Sequence, residues 1–142
     1  MTSAQDPPKS RVTSILFVCM GNTCRSVMAK ALARRRFGQA VKASSAGLRP
    51  QRPEDATNAI ETLKAEFGLD ESGHIPRSVR DLELTAFDYV VAMDKAIAKH
   101  LAGVPKERLI VWRIADPYGD DLSEYRRRAL EIMQQVAKLP VG

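Results

Sequence analysis

Two cysteines and an arginine lie close together in the segment CMGNTCR, which runs from Cys19 to Arg25. Gly21 and Asn22 are residue types that tolerate left-handed backbone angles, and a loop with such angles can turn successive N–H groups inward to form an anion-binding nest. Arg25 adds a planar guanidinium that can hold two phosphate oxygens. A helix that begins at Ser26 would direct its positive N-terminal end to the same place. Because such surroundings favour a thiolate, the segment predicts that Cys19 is a nucleophile that attacks the phosphorus of a bound phosphate group.

Three other interpretations of this segment fit the surrounding residues less well. A nucleotide-binding loop uses the same backbone physics, but the Gly-Lys-Ser/Thr ending that contacts the outer phosphates and Mg²⁺ is missing. A zinc site would need a second pair of Cys or His near Cys19 and Cys24 to complete a tetrahedron, so we expect neither a metal nor a cofactor. A Cys-x5-Arg pattern also arises by accident. In this chain the pattern follows a buried strand, contains Gly-Asn and precedes Ser26. This context favours a catalytic cysteine loop over an accidental match.

The composition is that of an ordinary globular protein with an excess of basic residues. The 142 residues are 44% hydrophobic and 27% charged, and the formal net charge is +5. A net positive charge is compatible with binding to nucleic acid, to anionic lipid or to a small phosphate group. The arginine runs 34–36 and 126–128 lie inside helical patterns, where three successive residues fan around most of the circumference, so we interpret them as solvated faces. Because no nucleic-acid motif accompanies the charge, we expect no nucleic-acid partner.

The N-terminal segment and the cysteine content indicate compartment and domain organisation. MTSAQDPPKSR contains no apolar core of a signal peptide, and no stretch of the chain approaches the ~18 apolar residues of a membrane span. We therefore expect a cytoplasmic protein without membrane association, with a disordered lead over residues 1–12 and a single catalytic domain over residues 13–142. Two cysteines in one short segment suit chemistry in a reducing compartment better than a disulfide scaffold.

Short apolar runs alternate with amphipathic segments along the chain. The runs typical of strands are Ser14–Val18, Val41–Ser45, Phe87–Met93 and Arg108–Trp112. The helical segments are Ser26–Phe37, a helix opened by Pro53 that ends near Gly68, Lys95–Leu101, and a last helix with Asp121 as N-cap and Glu124 as its capping-box partner. This alternation predicts an α/β fold with a four-stranded parallel sheet and helices on both faces, a flavodoxin-like three-layer sandwich. The loops after the first and fourth strands then meet at one sheet edge, which brings Cys19 near Asp116.

Four motifs together resemble one known family. VCMGNTCRSVMAKAL, SSAG, FDYVVAMD and ADPYGD occur in the order found in the low-molecular-weight protein tyrosine phosphatases, which include related bacterial protein-arginine phosphatases. The resemblance spans about residues 13 to 139 and implies a cysteine-dependent protein-tyrosine-phosphatase with a four-stranded parallel sheet. Such an enzyme hydrolyses phosphomonoesters through a phosphocysteine intermediate. Its partners would be a phosphorylated protein substrate and inorganic phosphate as product, and we expect a monomer or a weak dimer.

The resemblance also implies roles for individual residues. Cys19 is the nucleophile, Arg25 and the loop amides hold the phosphate oxygens, and Asp116 is the general acid and then the base. Asn22 and Ser26 support the loop and the thiolate by hydrogen bonding, although Ser26 also fits a simple helix cap. The residues expected to bind substrate are Met20, Gly21, Asn22, Thr23, Cys24, Ser26 and Tyr118.

Three further positions match the family in supporting roles. Cys24 corresponds to the second loop cysteine, whose reversible disulfide with Cys19 would protect the nucleophile from over-oxidation. His74 is either a support for Asn22 or a surface residue. Asp94 follows the third strand, where a structural role is sufficient to explain it.

Departures from the family pattern leave the substrate open between two kinds of phosphorylated side chain. Val27 replaces a usual proline, which loosens the helix start but leaves the chemistry intact. The loop after Gly47 lacks the aromatic residue that walls the phosphotyrosine pocket in many members, so Tyr118 remains as the aromatic wall. Threonine at position 23 resembles the residue at this loop position in the arginine phosphatases. Its small side chain could admit a guanidinium, and its hydroxyl could orient the attacking water. We rank phosphotyrosine first and phosphoarginine second.

Two other functions rank lower. An arsenate reductase of the same fold needs additional cysteines to pass its disulfide onward, and the chain has none beyond Cys24. A non-catalytic phosphate-binding module would not need Cys19, Arg25 and Asp116 together.

Overall fold

The computed structural model describes residues 11–141, so the lead predicted over residues 1–12 lies almost entirely outside the described residues. Within them, a parallel sheet of four strands is built in the order β2-β1-β3-β4. The strands are β1 (Thr13–Cys19), β2 (Val41–Gly47), β3 (Tyr89–Ala92) and β4 (Leu109–Val111). The predicted four-stranded parallel sheet is confirmed.

β1 lies in the interior of the sheet, between β2 and β3. Its residues Ile15, Leu16, Phe17 and Val18 are completely buried. Because successive side chains of a strand point to opposite faces, this burial requires cover on both faces of the sheet. The continuous apolar run ILFV, without alternation of polar residues, is the pattern that a doubly covered strand produces.

Among residues 11–141, four α-helices cover the sheet and one another. They are α1 (Arg25–Phe37), α2 (Thr57–Phe67), α3 (Lys95–Ala98) and α4 (Leu122–Val136). α1 packs on β1 and β2 and contacts both α2 and α4, whereas α3 packs against β3 and β4. None of the helices in this part of the chain is long and apolar enough to cross a membrane. The arrangement is a flavodoxin-like α/β fold.

The inner side of α4 is a short stripe of buried residues. Its members recur at helical spacing and are Tyr125, Ala129, Ile132 and Val136. Leu122 and Met133 belong to the same apolar pattern in the sequence, but they are 48% and 41% exposed. The buried stripe of α4 is therefore narrower than its apolar pattern.

The predicted helix start at Pro53 and the predicted capping box of α4 differ from the structure. Pro53 opens a 3₁₀ turn, Pro53–Ala56, and the α-helix begins only after it. Asp121 caps α4 as predicted, because its Oδ1 accepts the Glu124 backbone N–H at 3.1 Å. The Glu124 carboxylate does not complete the box; it pairs with Arg127 at 3.4 Å and Arg128 at 3.0 Å, because those cations lie one turn further along the helix.

Candidate active site

The loop from Cys19 to Arg25 includes the last residue of β1 and the first residue of α1, and its backbone is fixed from outside by the segment after β2. The backbone N–H groups of Leu48, Arg49 and Gln51 donate to the carbonyls of Cys19, Met20 and Gly21 at 3.1, 2.8 and 3.0 Å. In a trans peptide the N–H points opposite to the preceding carbonyl. With these carbonyls turned toward residues 48–51, the N–H groups that follow them are directed to the other side, as an anion nest requires.

Gly47 and Gly21 allow the two segments to approach each other. A Cβ on Gly47 would lie 2.8 Å from the Asn22 nitrogen and 2.8 Å from the Met20 oxygen, so no larger residue fits without moving the loop. A Cβ on Gly21 would lie 2.6 Å from Cδ of the Gln51 side chain. Of the two residues expected to tolerate a left-handed conformation, Asn22 adopts it, with φ of 56°. At Gly21 an added Cβ would displace only the end of the flexible Gln51 side chain, whereas at Gly47 it would meet backbone atoms.

Asn22 is completely buried and is held by three hydrogen bonds. Its Oδ1 accepts the Arg77 backbone N–H at 3.0 Å, and its carbonyl accepts His74 Nε2–H at 2.7 Å. Its amide Nδ2 donates to Ser26 Oγ at 2.8 Å. These bonds stabilise the left-handed backbone conformation of Asn22, which a residue other than glycine adopts only at a cost in free energy.

Ser26 connects Asn22 to the candidate nucleophile. Its Oγ lies 3.0 Å from Cys19 Sγ, and because Oγ already accepts from Asn22, its own proton is available to the sulfur. Ser26 lies inside α1, whose N-cap position is occupied by Cys24 without a side-chain cap. The alternative that Ser26 is a helix cap is therefore wrong.

His74 is supported on its other ring nitrogen by a pair of charged residues. Lys30 Nζ donates to His74 Nδ1 at 3.2 Å and pairs with Glu71 at 3.1 Å. Since a carbonyl can only accept, this geometry requires the neutral tautomer with the proton on Nε2. Burial lowers the pKa of His74, partly opposed by its hydrogen bond to Asn22, and the Lys30 ammonium lowers it further. Burial likewise lowers the pKa of Lys30.

Arg25 is 3% exposed and is anchored through one of its terminal nitrogens. Nη1 donates to Asp94 Oδ2 and to the Ile114 carbonyl, both at 2.8 Å. Nε is buried and has no hydrogen-bond partner among the described residues, and Nη2 lies 3.7 Å from Asp116 Oδ2. The Nε and Nη2 edge of the guanidinium is thus available to hold two oxygens of a bound anion.

Asp94 serves both Arg25 and α3. Its Oδ1 accepts the Ile97 backbone N–H at 2.9 Å, which caps α3. Although burial opposes it, the hydrogen bond from Arg25 lowers the pKa of Asp94. The carboxylate therefore stays charged and fixes the guanidinium in place.

Asp116 and Tyr118 lie on the exposed loop after β4, across the cleft from Cys19. Asp116 Oδ1 accepts the Tyr118 backbone N–H at 3.0 Å, and the Tyr118 hydroxyl donates to Asp55 Oδ1 at 3.4 Å. The cleft between the two loops is lined by Cys19, Met20, Gly21, Thr23, Cys24, Gln51, Asp116 and Tyr118. The topology therefore brings the predicted nucleophile, acid and aromatic wall to one place. Among residues 11–141, no group of three or more His, Cys, Asp or Glu could hold a metal ion.

Gln51 is a residue of the cleft that the sequence did not reveal. Its Oε1 accepts the hydroxyl proton of Thr23 at 2.6 Å, so a polar amide lines the cleft beside Thr23. The turn-rich segment AGLRPQRPED gives no local signal for this role. Only the pairing of Cys19 with Gly47 in the sheet shows that the following residues run beside the loop.

A parallel α/β sheet with a Cys-x5-Arg loop at the carboxyl end of its first strand, facing an aspartate from its fourth, defines a class of oxyanion-binding proteins with a cysteine at the centre of the site. The family described as low molecular weight phosphotyrosine protein phosphatase matches residues 14–140. The chain belongs to this family, as its motifs predicted.

Similar proteins carry more than one activity in their names. The chain is 39% identical over 90 residues to the low molecular weight protein-tyrosine-phosphatase YfkJ of Bacillus subtilis, a match that covers 57% of this chain and 56% of that protein. It is 32% identical to arsenate reductase 2 of Staphylococcus saprophyticus over 87% of this chain and 92% of that one.

Two similar solved structures also differ in the activity that their names give. The low molecular weight protein tyrosine phosphatase from T. tengcongensis superposes with a TM-score of 0.79, at 32% identity and with 89% of this chain and 96% of that one covered. The YwlE arginine phosphatase from Geobacillus stearothermophilus gives 0.75, at 28% identity and with 89% of each chain covered. Family membership therefore leaves the particular substrate to be argued from the site.

Proposed function

We propose that this chain is a cysteine-dependent phosphatase that hydrolyses phosphomonoesters on protein substrates through a phosphocysteine intermediate. The observation that carries the proposal is the unpartnered, buried Nε of Arg25 in a loop whose Ser26 donates to Cys19. A buried guanidinium nitrogen without a partner destabilises the fold unless a ligand satisfies it. An anion with several oxygens, held over a cysteine sulfur, is the ligand that fits this geometry.

The first chemical step would transfer the phosphoryl group to Cys19. The thiolate forms an S–P bond as the bond from phosphorus to the leaving oxygen breaks, and the Asp116 carboxyl donates its proton to that oxygen. Arg25 and the loop N–H groups stabilise the charge on the three equatorial oxygens, which is the principal electrostatic contribution to the rate.

The second step would release inorganic phosphate. The Asp116 carboxylate takes a proton from water as the water oxygen attacks phosphorus, and the S–P bond breaks to restore the Cys19 thiolate. The hydrogen bond from Ser26 stabilises this leaving thiolate. Two free cysteines in such a site suit the reducing cytoplasm, where we propose the enzyme works, as a monomer or weak dimer.

Replacing Cys19 with serine tests the nucleophile directly. We expect Cys19→Ser to abolish turnover of p-nitrophenyl phosphate while phosphate still binds, because the loop N–H groups and Arg25 remain. In the wild type, rapid acid quenching and mass spectrometry should find the phosphoryl group on the Cys19 peptide. Substantial residual turnover in Cys19→Ser, or phosphate on another residue, would refute the proposal.

Phosphotyrosine is the first candidate substrate, with Tyr118 as the wall for its ring. Phosphoarginine is the second, and the Thr23–Gln51 hydrogen bond favours it, because a polar wall offers acceptors to the N–H groups of a guanidinium. Arsenate reduction ranks lower, although similar reductases exist, because a third cysteine to pass the disulfide onward is missing from the sequence.

One kinetic comparison separates the two substrates. Peptides of identical sequence that carry phosphotyrosine or phosphoarginine should give the higher kcat/KM with phosphotyrosine. Gln51→Leu should raise the phosphotyrosine-to-phosphoarginine ratio by about tenfold, because it replaces a polar wall by an apolar one. Gln134→Leu, an exposed glutamine of α4, is the control and should leave the ratio unchanged. A wild-type preference for phosphoarginine would reverse the ranking, and turnover of neither peptide would favour a binding module.

A further inference from the structure

Tyr125 and Cys24 form a buried pair of polar side chains that the proposed phosphatase chemistry does not use. Cys24 Sγ lies 3.2 Å from the Tyr125 hydroxyl oxygen, although the residues are 101 positions apart in the sequence. Cys24 is 3% exposed and Tyr125 is 1% exposed. A tyrosine hydroxyl in a protein core normally has a hydrogen-bond partner, because an unpaired one destabilises the fold. The contact therefore supplies the Tyr125 hydroxyl with a hydrogen-bond partner, and that partner is a cysteine of the candidate site.

The chemistry of the two groups gives the direction of this hydrogen bond. A phenol is a good donor and a thiol a weak one, so the hydroxyl donates to the sulfur. Burial raises the pKa of Tyr125, which keeps the hydroxyl protonated at neutral pH. Burial also raises the pKa of Cys24 to about 11, and the hydrogen bond from Tyr125 opposes that rise. The Tyr125 proton is thus placed to stabilise negative charge on the Cys24 sulfur.

We propose that Tyr125 is a positioning residue for Cys24 in the formation of a Cys19–Cys24 disulfide, because its hydroxyl stabilises the Cys24 thiolate as that thiolate forms. The inference rests on the proposed role of Cys19 as a reactive thiolate. Both cysteines are free, and both border the cleft between the two loops. Thr23 Oγ1 lies 3.8 Å from the same sulfur but donates its proton to Gln51, so Tyr125 is the hydroxyl donor to Cys24.

The oxidant in this reaction is a hydroperoxide. The Cys19 thiolate attacks one peroxide oxygen, so an S–O bond forms, the O–O bond breaks and hydroxide leaves, giving a sulfenic acid. Cys24 then loses its proton and its thiolate attacks the Cys19 sulfur. An S–S bond forms, the S–O bond breaks, and the departing hydroxide takes up a proton to become water. Because Cys24 must ionise while it is buried, this second step is the one that Tyr125 accelerates.

The test compares wild type with Tyr125→Phe, which keeps the aromatic ring in the core and removes only the hydroxyl. The purified enzymes receive a pulse of hydrogen peroxide, are quenched with a thiol-blocking reagent at successive times, and are analysed by mass spectrometry for the Cys19–Cys24 disulfide. We expect closure in Tyr125→Phe to be slower by on the order of tenfold, since a hydrogen bond to a charged group is lost. Because the open sulfenic acid persists, a larger share of activity should become unrecoverable by dithiothreitol.

Two measurements separate this role from a structural one. The kcat/KM of Tyr125→Phe for p-nitrophenyl phosphate should equal that of the wild type. Tyr89→Phe, a partly buried tyrosine on β3, should behave as wild type in both assays. An equal or faster rate of closure in Tyr125→Phe would overturn the inference. So would a wild type that never forms the disulfide, and its phosphatase activity in the same assay would keep that failure separate from the proposed function.

A second variant keeps the test decisive if Tyr125→Phe loses its fold. Site-specific replacement of Tyr125 by 3-fluorotyrosine makes the hydroxyl a stronger donor without changing its reach. Closure of the disulfide should then be faster than in the wild type. Slower or unchanged closure would contradict the proposed role.

Discussion

The loop from Cys19 to Arg25 and the loop from Asp116 to Asp121 face the same cleft but are held in different ways. In the first, Asn22, Thr23 and Arg25 are at most 3% exposed, and hydrogen bonds fix the backbone from outside. In the second, Asp116 and Tyr118 are exposed. Asp116 is held by the Tyr118 backbone N–H at 3.0 Å and by its 3.7 Å approach to Arg25.

The difference follows from what each loop is proposed to do. Stabilising charge on a transferring phosphoryl group requires donors that are in place beforehand, because any reorganisation would be subtracted from the gain. Proton transfer to a leaving group that varies in shape tolerates a freer carboxyl, and contacts with variable partners commonly lie on loops. We thus assign anion recognition to the rigid loop, Cys19 to Arg25, and leaving-group recognition to the adaptable loop, Asp116 to Asp121. Four predictions test this assignment.

The largest effect is expected from Arg25→Lys on the rigid loop. Lysine keeps the charge but loses the fork, so it cannot both bind Asp94 and hold two phosphate oxygens. We expect kcat/KM for p-nitrophenyl phosphate to fall by about 10³. Arg113→Lys, an exposed position outside the cleft lining, serves as the control. A loss below tenfold would mean that backbone N–H groups alone hold the anion.

Asp116→Ala tests the adaptable loop. We expect a loss of about 10² in kcat on phosphate esters with poor leaving groups, and a much smaller loss on activated aryl phosphates, which need no proton. A series of aryl phosphates of increasing phenol pKa gives the measurement. Equal losses across the series would argue against Asp116 as the acid. Asp120→Ala on the same loop is the matched control.

Gly47→Ala tests whether the segment after β2 holds the loop from Cys19 to Arg25 rigid. The added Cβ would lie 2.8 Å from two backbone atoms of the loop, so the loop must shift or the strand must move. We expect the free energy of unfolding to fall by about 1–3 kcal/mol, with weaker phosphate binding. Gly103→Ala, where a Cβ meets nothing within 4 Å, should cost far less in urea denaturation. Unchanged phosphate affinity in Gly47→Ala would show that the segment after β2 does not hold the loop in its phosphate-binding conformation.

The smallest effect concerns the outer support at His74. Because burial lowers the pKa of His74, the unfolded chain binds a proton at a higher pH than the folded one. Stability is therefore fully present above the ordinary histidine value of about 6.5 and is lost as pH falls through the depressed folded value. A proton on Nδ1 would also face the Lys30 ammonium.

His74→Gln keeps a neutral donor for the Asn22 carbonyl at every pH. The loss of stability between about pH 6.5 and 5, measured by urea denaturation, should therefore be smaller in this variant than in the wild type. His100→Gln, at an exposed histidine, should retain the full wild-type decline. The same decline in all three proteins would exclude His74 as its source.

The residues that the sequence could identify belong to short local motifs or to the ends of strands. Cys19 and Arg25 are part of one loop, and Asp116 joins them because parallel strands bring their carboxyl ends to the same edge. The fold followed from the alternation of apolar and amphipathic segments, since a buried parallel strand needs a continuous apolar run.

The residues that the sequence could not identify act across long separations. Gln51 reaches Thr23 over 28 positions, Lys30 reaches His74 over 44, and Tyr125 reaches Cys24 over 101. Such pairs leave no periodicity in the sequence. They depend on the packing of α1 against α4, on the register of β1 with β2, and on how the segment that carries His74 lies beside α1. Ser26 shows a related limit: the family resemblance implied a hydrogen bond to the thiolate, but a serine at a helix start also suits a cap, and only the structure separates the two.

The hydrogen bonds that shape the loop around Asn22 are all made by protein atoms, and this bears on how a catalytic cycle ends. A site that needs no substrate to take its form keeps the same anion-binding geometry before and after the reaction. Inorganic phosphate carries the same oxygens as the phosphoryl group, so it should compete with substrate at the loop. We expect product inhibition that is competitive with respect to substrate, so that phosphate raises the apparent KM and leaves kcat unchanged.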